Sequence, residues 1–361
     1  MKFNMPLLGQ TRKRDEVLSV DLGSRTTKAV LLKRTGDHFK LARFAIKDAP
    51  VYDKGFSGAM LAEHLRDVAQ SLQPKTRQVT LSVSAADSIL RGIELPLLPV
   101  NQMRQMLRLN SKAYLQHDLS DHTFDCYIVP PDAKTMESAK ATPQAKGTVQ
   151  KFKVWAGGAK SNFLNEVQNA IKTAGFIPDI VALTIVGPVN AFEFAHPDIF
   201  ATKVIALVDL GFRTSTINIV SKGNLLLSRV VEIGGDRLTA GLSESMGISY
   251  AEAEGIKVGM PMEVDAHLQP LIAPLGRELR ASIDFFEHQH EQHVENVYLS
   301  GGAARSDYIR EQLQAELMVP CETWNSARDL KVDELPSDQA AELENTSTEL
   351  TVAVGAASAV F

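Results

Sequence analysis

The 361-residue chain has no uninterrupted apolar run approaching the roughly 20 residues that a membrane-spanning helix requires. Its opening, Met1 to Glu16, carries Lys and Arg but lacks the apolar core of a secretory signal. There are only two cysteines, Cys126 and Cys321, far apart and in no metal-like pair, which excludes a disulfide scaffold and suits a reducing cytoplasm. A basic excess is also missing: 38 Lys and Arg stand against 43 Asp and Glu, a net charge of −5, so a general nucleic-acid-binding surface is not expected. Neither a Walker A sequence nor a GxGxxG fingerprint occurs. What is present is a globular composition, 44% hydrophobic and 22% charged, in a chain long enough for two substantial cores. Any membrane association is expected to come through a partner.

One phrase is said twice. Asp21-Leu22-Gly23-Ser24-Arg25-Thr26-Thr27-Lys28 follows the apolar run Val17 to Val20, and Asp209-Leu210-Gly211-Phe212-Arg213-Thr214-Ser215-Thr216 follows Val204 to Val208. After each copy the chain turns back into another strand, Ala29 to Lys33 and Ile217 to Val220. Glycine lets backbone N–H groups approach an anion closely, and neighbouring hydroxyls donate to its oxygens. The carboxylate would repel a phosphate, but it can hold Mg²⁺ through water while the cation also binds the phosphate. Either copy alone also reads as a tight hairpin turn. Two copies facing each other across a cleft make a nucleotide clamp.

These residues resemble the actin-like ATPases. The first copy is similar to their phosphate-1 loop, including Lys28 seven residues after the Asp, and the second to their phosphate-2 loop. Val297-Tyr298-Leu299-Ser300-Gly301-Gly302-Ala303 is similar to the adenosine motif, and Ala253-Glu254-Gly255-Ile256-Lys257 to the Glu and Lys on the ribose or adenine side. Three further stretches narrow the resemblance to the PilM family of type IV pilus assembly proteins, relatives of FtsA. They are Asn190-Ala191-Phe192-Glu193 after Val181 to Val186, the Ile233-Gly234-Gly235-Asp236 turn, and Arg280-Ala281-Ser282-Ile283-Asp284-Phe285-Phe286.

The resemblance implies an α/β, two-lobed actin-like ATPase fold of duplicated ribonuclease-H-like domains, with a small α/β subdomain inserted in the first lobe. It implies ATP and Mg²⁺ as cofactors. The nucleotide contacts would come from Asp21, Gly23, Ser24, Arg25, Thr26, Lys28, Asp209, Gly211, Thr214, Gly234, Gly235, Glu254, Lys257, Gly301, Gly302 and Ala303, with Asp21 and Asp209 holding Mg²⁺ through water. The implied partner is the N-terminal cytoplasmic peptide of a PilN-like inner-membrane protein, docked in a groove within about 78–175, with the assembly motor ATPase as a further candidate. The protein would be cytoplasmic and peripheral to the inner membrane through that partner.

The expected division is a basic tail at 1–15 and first-lobe core at 16–76, then the inserted subdomain at 77–175. The first lobe resumes at 176–200, the second lobe spans 201–348 with a helical nucleotide-side part, and a C-terminal helix at 349–361 returns to the first lobe. Periodicity predicts a helix over Ser57 to Leu72 with Met60, Leu61, Leu65, Val68 and Leu72 on one face, and another from Asn101 to about Gln116. Gly157-Gly158 reads as a strand-to-helix turn, Pro130 to Gln150 as a mobile loop, and Arg12-Lys13-Arg14 as part of a solvated tail. A long helix is expected from about Leu271 to Gln292.

Phe212 and Arg213 stand where strong ATPases of this fold carry small residues, and Arg25 where actin has one. A bulky Phe restricts the backbone, either Arg can neutralise phosphate charge, and no water-positioning residue is identifiable. Catalytic residues are therefore unassigned, and nucleotide binding with slow or absent turnover is expected. The competing readings are a sugar or small-acid kinase of the same superfamily, which would need a general-base carboxylate and larger lobes, and an FtsA-like filament protein, whose amphipathic C-terminal helix is not seen.

Overall fold

The computed structural model describes residues 5–6, 14–36, 38–52, 55–130 and 151–361. The chain begins with β1 (Met5–Pro6), β2 (Glu16–Leu22), β3 (Thr26–Thr35), β4 (His38–Asp48), α1 (Gly58–Leu72) and β5 (Gln78–Val83). There follow β6 (Ser88–Pro96), α2 (Val100–Leu109), α3 (Ser111–Leu115), β7 (His122–Ile128), β8 (Lys151–Lys160), α4 (Ser161–Thr173), β9 (Ile177–Leu183), α5 (Gly187–Ala195) and α6 (Pro197–Thr202). The remainder comprises β10 (Val204–Leu210), β11 (Ser215–Ser221), β12 (Asn224–Val231), α7 (Gly235–Met246), α8 (Tyr250–Gly259), α9 (Asp265–His290), β13 (Asn296–Ser300), α10 (Asp307–Leu317), β14 (Cys321–Thr323), α11 (Ser337–Thr346) and α12 (Thr351–Ser358).

Three sheets result, ordered β1-β9-β5-β2-β3-β4, β12-β11-β10-β13-β14 and β6-β8-β7. The two larger ones repeat a plan. In each, an antiparallel hairpin carrying the Asp-Leu-Gly phrase pairs in parallel with a later strand, β2 with β5 and β10 with β13. The central strands read as continuous apolar runs because both faces of each sheet are covered. Val17 to Asp21 and Val204 to Val208 are buried without alternation.

Ser57 caps α1 by accepting from the Met60 amide, and the left-handed Gln73 ends it before Pro74. Leu61, Leu65, Val68 and Leu72 are buried as expected, whereas Met60 is 40% exposed: it lies in the first turn, outside the stripe that faces the sheet. The expected helix from Asn101 is two helices broken at Asn110, whose φ of −143° and ψ of 47° leave the helical region. Asn is among the weaker helix formers, so a break falls readily there.

The strand β8 runs straight through Gly157 and Gly158, so these are not a strand-to-helix turn. A Cβ on Gly158 would lie 2.8 Å from the Phe124 ring, and the glycine makes room for that ring in the small sheet's core. With Leu95, Met103, Leu107, Leu115 and Val154, Phe124 forms a separate apolar cluster. This small sheet is inserted between β5 and β9, which are neighbours in the first sheet.

Two expectations about the chain's start are corrected. Met5 and Pro6 pair antiparallel with Val181 and Ile180, which adds an edge strand to the first sheet. Arg14 is not solvated: its guanidinium lies 2.5 Å from the Asp179 carboxylate with 12% of its side chain exposed. Arg12 and Lys13, and the expected loop at 131–150, lie outside the described residues. The short helix α6 and the strand β14 have no periodic signal of their own, and α9 begins six residues before Leu271, with Pro270 and Pro274 inside it.

Next to the junction of the lobes, α5 crosses α12. A Cβ on Gly355 would fall 1.9 Å from the Gly187 carbonyl oxygen, so the crossing is closer than any other residue permits. Beside it Asn218 of β11 donates to the Ile185 carbonyl at 2.8 Å, and Phe192 packs on Tyr298 and Trp324. Trp155 of β8 donates its indole N–H to the Leu225 carbonyl at 2.9 Å, tying the inserted sheet to the second lobe.

Candidate functional site

Between the two large sheets lies a cavity of about 670 Å³, within the size range of small-molecule sites. The two Asp-Leu-Gly turns face into it, and their geometry repeats. A Cβ on Gly23 would lie 2.4 Å from the Thr26 carbonyl oxygen, and one on Gly211 would lie 2.6 Å from that of Thr214, the same three-residue offset. Each turn therefore demands glycine, for close approach rather than for a positive φ. The amides of Ser24, Arg25, Phe212 and Arg213 have no hydrogen-bond acceptor among the described residues, leaving two sets of donors at the cavity.

The acids sit at matched register. Asp21 is flanked by Lys28 on β3 and Ser82 on β5; Asp209 is flanked by Thr216 on β11 and Ser300 on β13. Asp209 accepts from Ser300 Oγ at 3.0 Å. Asp21 is 5% exposed, and burial, opposed by Lys28 and reinforced by Asp209, pushes its carboxyl up to about 7. Asp209 is also raised by burial, against Ser300 and Lys28. Asp21 Oδ1, Ser82 Oγ and Thr216 Oγ1 are buried without a protein partner. Unpaired buried acceptors beside two acids fit a hydrated cation.

A third wall comes from α8. Lys257 Nζ is buried, donating to Thr239 Oγ1 at 2.7 Å and pairing with Glu254 at 2.8 Å, while Thr239 donates to the other side of the same Glu254 oxygen at 2.5 Å. Burial opposes ionisation of Glu254, but Lys257, Thr239 and Arg25 together hold it down at about 2. The pair is thus part of the cavity wall and not a surface ion pair. Burial lowers Lys257, with Glu254 opposing.

At the far end β13 runs into Gly301, whose φ of +89° and approach to the Leu210 carbonyl, 2.5 Å from a would-be Cβ, exclude side chains. Gly302 and Ala303 line the cavity there. All the residues expected from sequence reach it except Gly234. The Gly235 and Asp236 amides bond to the carbonyls of Gly211 and Phe212 at 2.9 and 2.8 Å, so this turn braces the second loop from behind instead of offering its own donors. Phe212 and Arg213 have no positive φ, so the bulky Phe does not strain the loop.

The sequence reading missed Arg305, Glu349, Val258 and Ile309, which also line the cavity. Arg305 pairs with Glu349 at 3.0 Å. Arg305 and Val258 adjoin quoted motifs and were within reach of the pattern; Glu349 lies at the end of an acidic stretch with no local signal.

Known proteins share this architecture. The PilM-PilN type IV pilus biogenesis complex contains a chain of 23% identity that matches 97% of this one and 100% of its own length at a TM-score of 0.80. Ethanolamine utilization protein EutJ from Carboxydothermus hydrogenoformans matches at 15% identity over 97% and 92% of the two chains, TM-score 0.55. MreB 5 of Spiroplasma citri bound to AMPPNP matches at 10% identity over 95% of each, TM-score 0.50. The fold is that of the actin-like ATPases. The family described as "Type IV pilus assembly protein PilM" matches residues 19–361, and the chain belongs to it.

Proposed function

We propose that the protein is a cytoplasmic, actin-fold scaffold of a type IV pilus or related apparatus that binds ATP with Mg²⁺ and docks the N-terminal cytoplasmic tail of a PilN-like inner-membrane protein. The observation that carries the nucleotide reading is the pair of mirrored Asp-Gly turns facing one cavity with unoccupied backbone donors. The polyphosphate would lie between these turns, with Lys28 as an added cation, and the base side would lie toward Gly301, Gly302 and Ala303. Asp21 and Asp209 would hold the Mg²⁺, whose chemistry is to neutralise phosphate charge. The nucleotide seen in MreB 5 agrees with this reading.

The docking reading rests on family membership and on the full-length likeness to a protein of a PilM-PilN complex. Within it, 77–175 is the partner-binding module, and the Trp155 bond to Leu225 joins it to the second lobe. Among the described residues no helix is long and apolar enough to cross a membrane, which agrees with attachment through the partner. The reading has turnover slow or absent: Glu254 and Glu349 are both ion-paired, and Asp21 and Asp209 would be taken up by the Mg²⁺.

The test is capture of a synthetic N-terminal peptide of a PilN-like protein by the full chain, with and without ATP and Mg²⁺. The reading expects saturable peptide binding. Absence of binding together with rapid phosphorylation of a small metabolite would replace the scaffold with a kinase.

A further inference from the structure

Arg25 belongs to the first phosphate-loop turn, yet its guanidinium is not directed at the carboxylates of the cavity floor. It reaches across to the second lobe, donating to Glu254 Oε1 at 2.8 Å with its carbon 5.4 Å from the centre of the Phe212 ring. These contacts join three separate elements: the tip of the β2-β3 hairpin, the second phosphate-loop turn and α8. Arg25 and Phe212 are two of the three bulky residues, with Arg213, that depart from the small-residue pattern of the superfamily, and here they pack on one another.

We propose that Arg25, seated on Phe212 and paired with Glu254, is a latch that holds the two lobes together when no nucleotide is bound. Glu254 is a strong anchor, because Thr239 and Lys257 fix its other oxygen and leave Oε1 for Arg25. Arg25 itself keeps 45% of its side chain exposed, and partly exposed ion pairs are individually weak. The latch therefore biases an opening equilibrium by a few-fold to about tenfold and does not lock it. The bias has a consequence for ligand entry that rests on the nucleotide reading above. Because Thr239 and Lys257 already fill Glu254 Oε2, a ribose hydroxyl donating to Glu254 would approach Oε1 where the Arg25 guanidinium sits, so nucleotide and latch contend for the space at that oxygen. Binding then frees a guanidinium at the rim of the phosphate end. Arg25→Ala should admit nucleotide faster and also lose it faster.

The latch can be tested without nucleotide. The thiols of Cys126 and Cys321 are buried, so spin labels go selectively to cysteines introduced by Val51→Cys on the first lobe and Ala251→Cys on α8, both exposed positions. Electron–electron distance measurements on the nucleotide-free full chain should give a longer or broader distribution in Arg25→Ala than in the latched parent that carries only the two introduced cysteines, with Arg25→Lys between them. Adding Glu254→Gln to Arg25→Ala should produce no further opening. Unchanged distances in Arg25→Ala, or fully additive effects of the two substitutions, would overturn the proposal. A fluorescent ATP analogue with Mg²⁺ supplies the second arm, with association expected to be about three- to tenfold faster for Arg25→Ala. If no variant, the parent included, binds the analogue, the nucleotide reading fails, while the distance arm still decides the latch.

Discussion

Asp21 stands directly opposite Lys28 across β2 and β3, whereas Asp209, its counterpart in the second sheet, stands opposite Thr216. One half of the repeated turn therefore carries a cation and the other a hydroxyl. Even with that cation, burial raises the Asp21 carboxyl to about 7. In the unfolded chain it ionises near 3.8. Between those values the unfolded state loses its proton while the folded state keeps it, so this group makes stability fall as pH rises from about 4 to about 7, with no further change above. Asp21→Asn is expected to raise the stability of the nucleotide-free protein at pH 8, by an upper bound on the order of 4 kcal/mol, in urea unfolding monitored by fluorescence. At pH 3 the difference should vanish.

The same titration governs the ligand. Mg²⁺ needs the ionised carboxylate, so affinity for Mg²⁺ with ATP should weaken about tenfold per unit below pH 7 and level off above it. Calorimetric titrations at pH 6 and 8 check this, and removing Mg²⁺ with a chelator should flatten the dependence.

Gly23→Ala and Gly211→Ala should each deform a turn, since the new Cβ meets a backbone carbonyl at 2.4 or 2.6 Å. Each should cost about 1–3 kcal/mol of stability and weaken nucleotide binding more than tenfold. Gly36→Ala, at a hairpin tip with open space and a φ of +62°, should cost about 1 kcal/mol and leave binding unchanged.

Trp155→Phe keeps an aromatic ring but removes the donor to the Leu225 carbonyl. A loss of about 1–2 kcal/mol is expected, with faster hydrogen exchange at β12 and in the inserted sheet. Equal exchange in both proteins would show that this bond does not couple the two parts.

Burial pushes both cysteine thiols up to about 12. Native protein at pH 8 should be almost unreactive toward a disulfide reagent, and both thiols should react once urea unfolds the chain.

Much of the fold was legible because its signals are local. The Asp-Leu-Gly turns, the apolar runs of β2 and β10 and the stripe on α1 each declare themselves within ten residues. The passage of β8 through Gly157 and Gly158 was not legible, since the room made at Gly158 serves a tertiary neighbour, the Phe124 ring; the helix break at Asn110 has only the weak local signal of one Asn inside an otherwise continuous pattern. Distance in sequence hid the rest. Arg25 and Glu254 are 229 residues apart, and nothing near either says which of several anionic or aromatic groups the guanidinium will choose. Glu349 was invisible for the same reason, because its partner Arg305 comes from the other side of α11. The turn at Gly234, Gly235 and Asp236 was legible as a motif but not in its role: Gly234 does not line the cavity, and only the bonds from the Gly235 and Asp236 amides to the Gly211 and Phe212 carbonyls reveal that the turn braces the second loop.

The central claim is that the two acids at the ends of β2 and β10 form one metal-dependent nucleotide clamp. Calorimetric titration of ATP with Mg²⁺ into the full chain and into the double variant Asp21→Asn, Asp209→Asn tests it most directly. One-to-one binding by the natural sequence, reduced at least a hundredfold in the folded double variant, is the predicted result. Equal affinity in the two proteins would contradict the clamp.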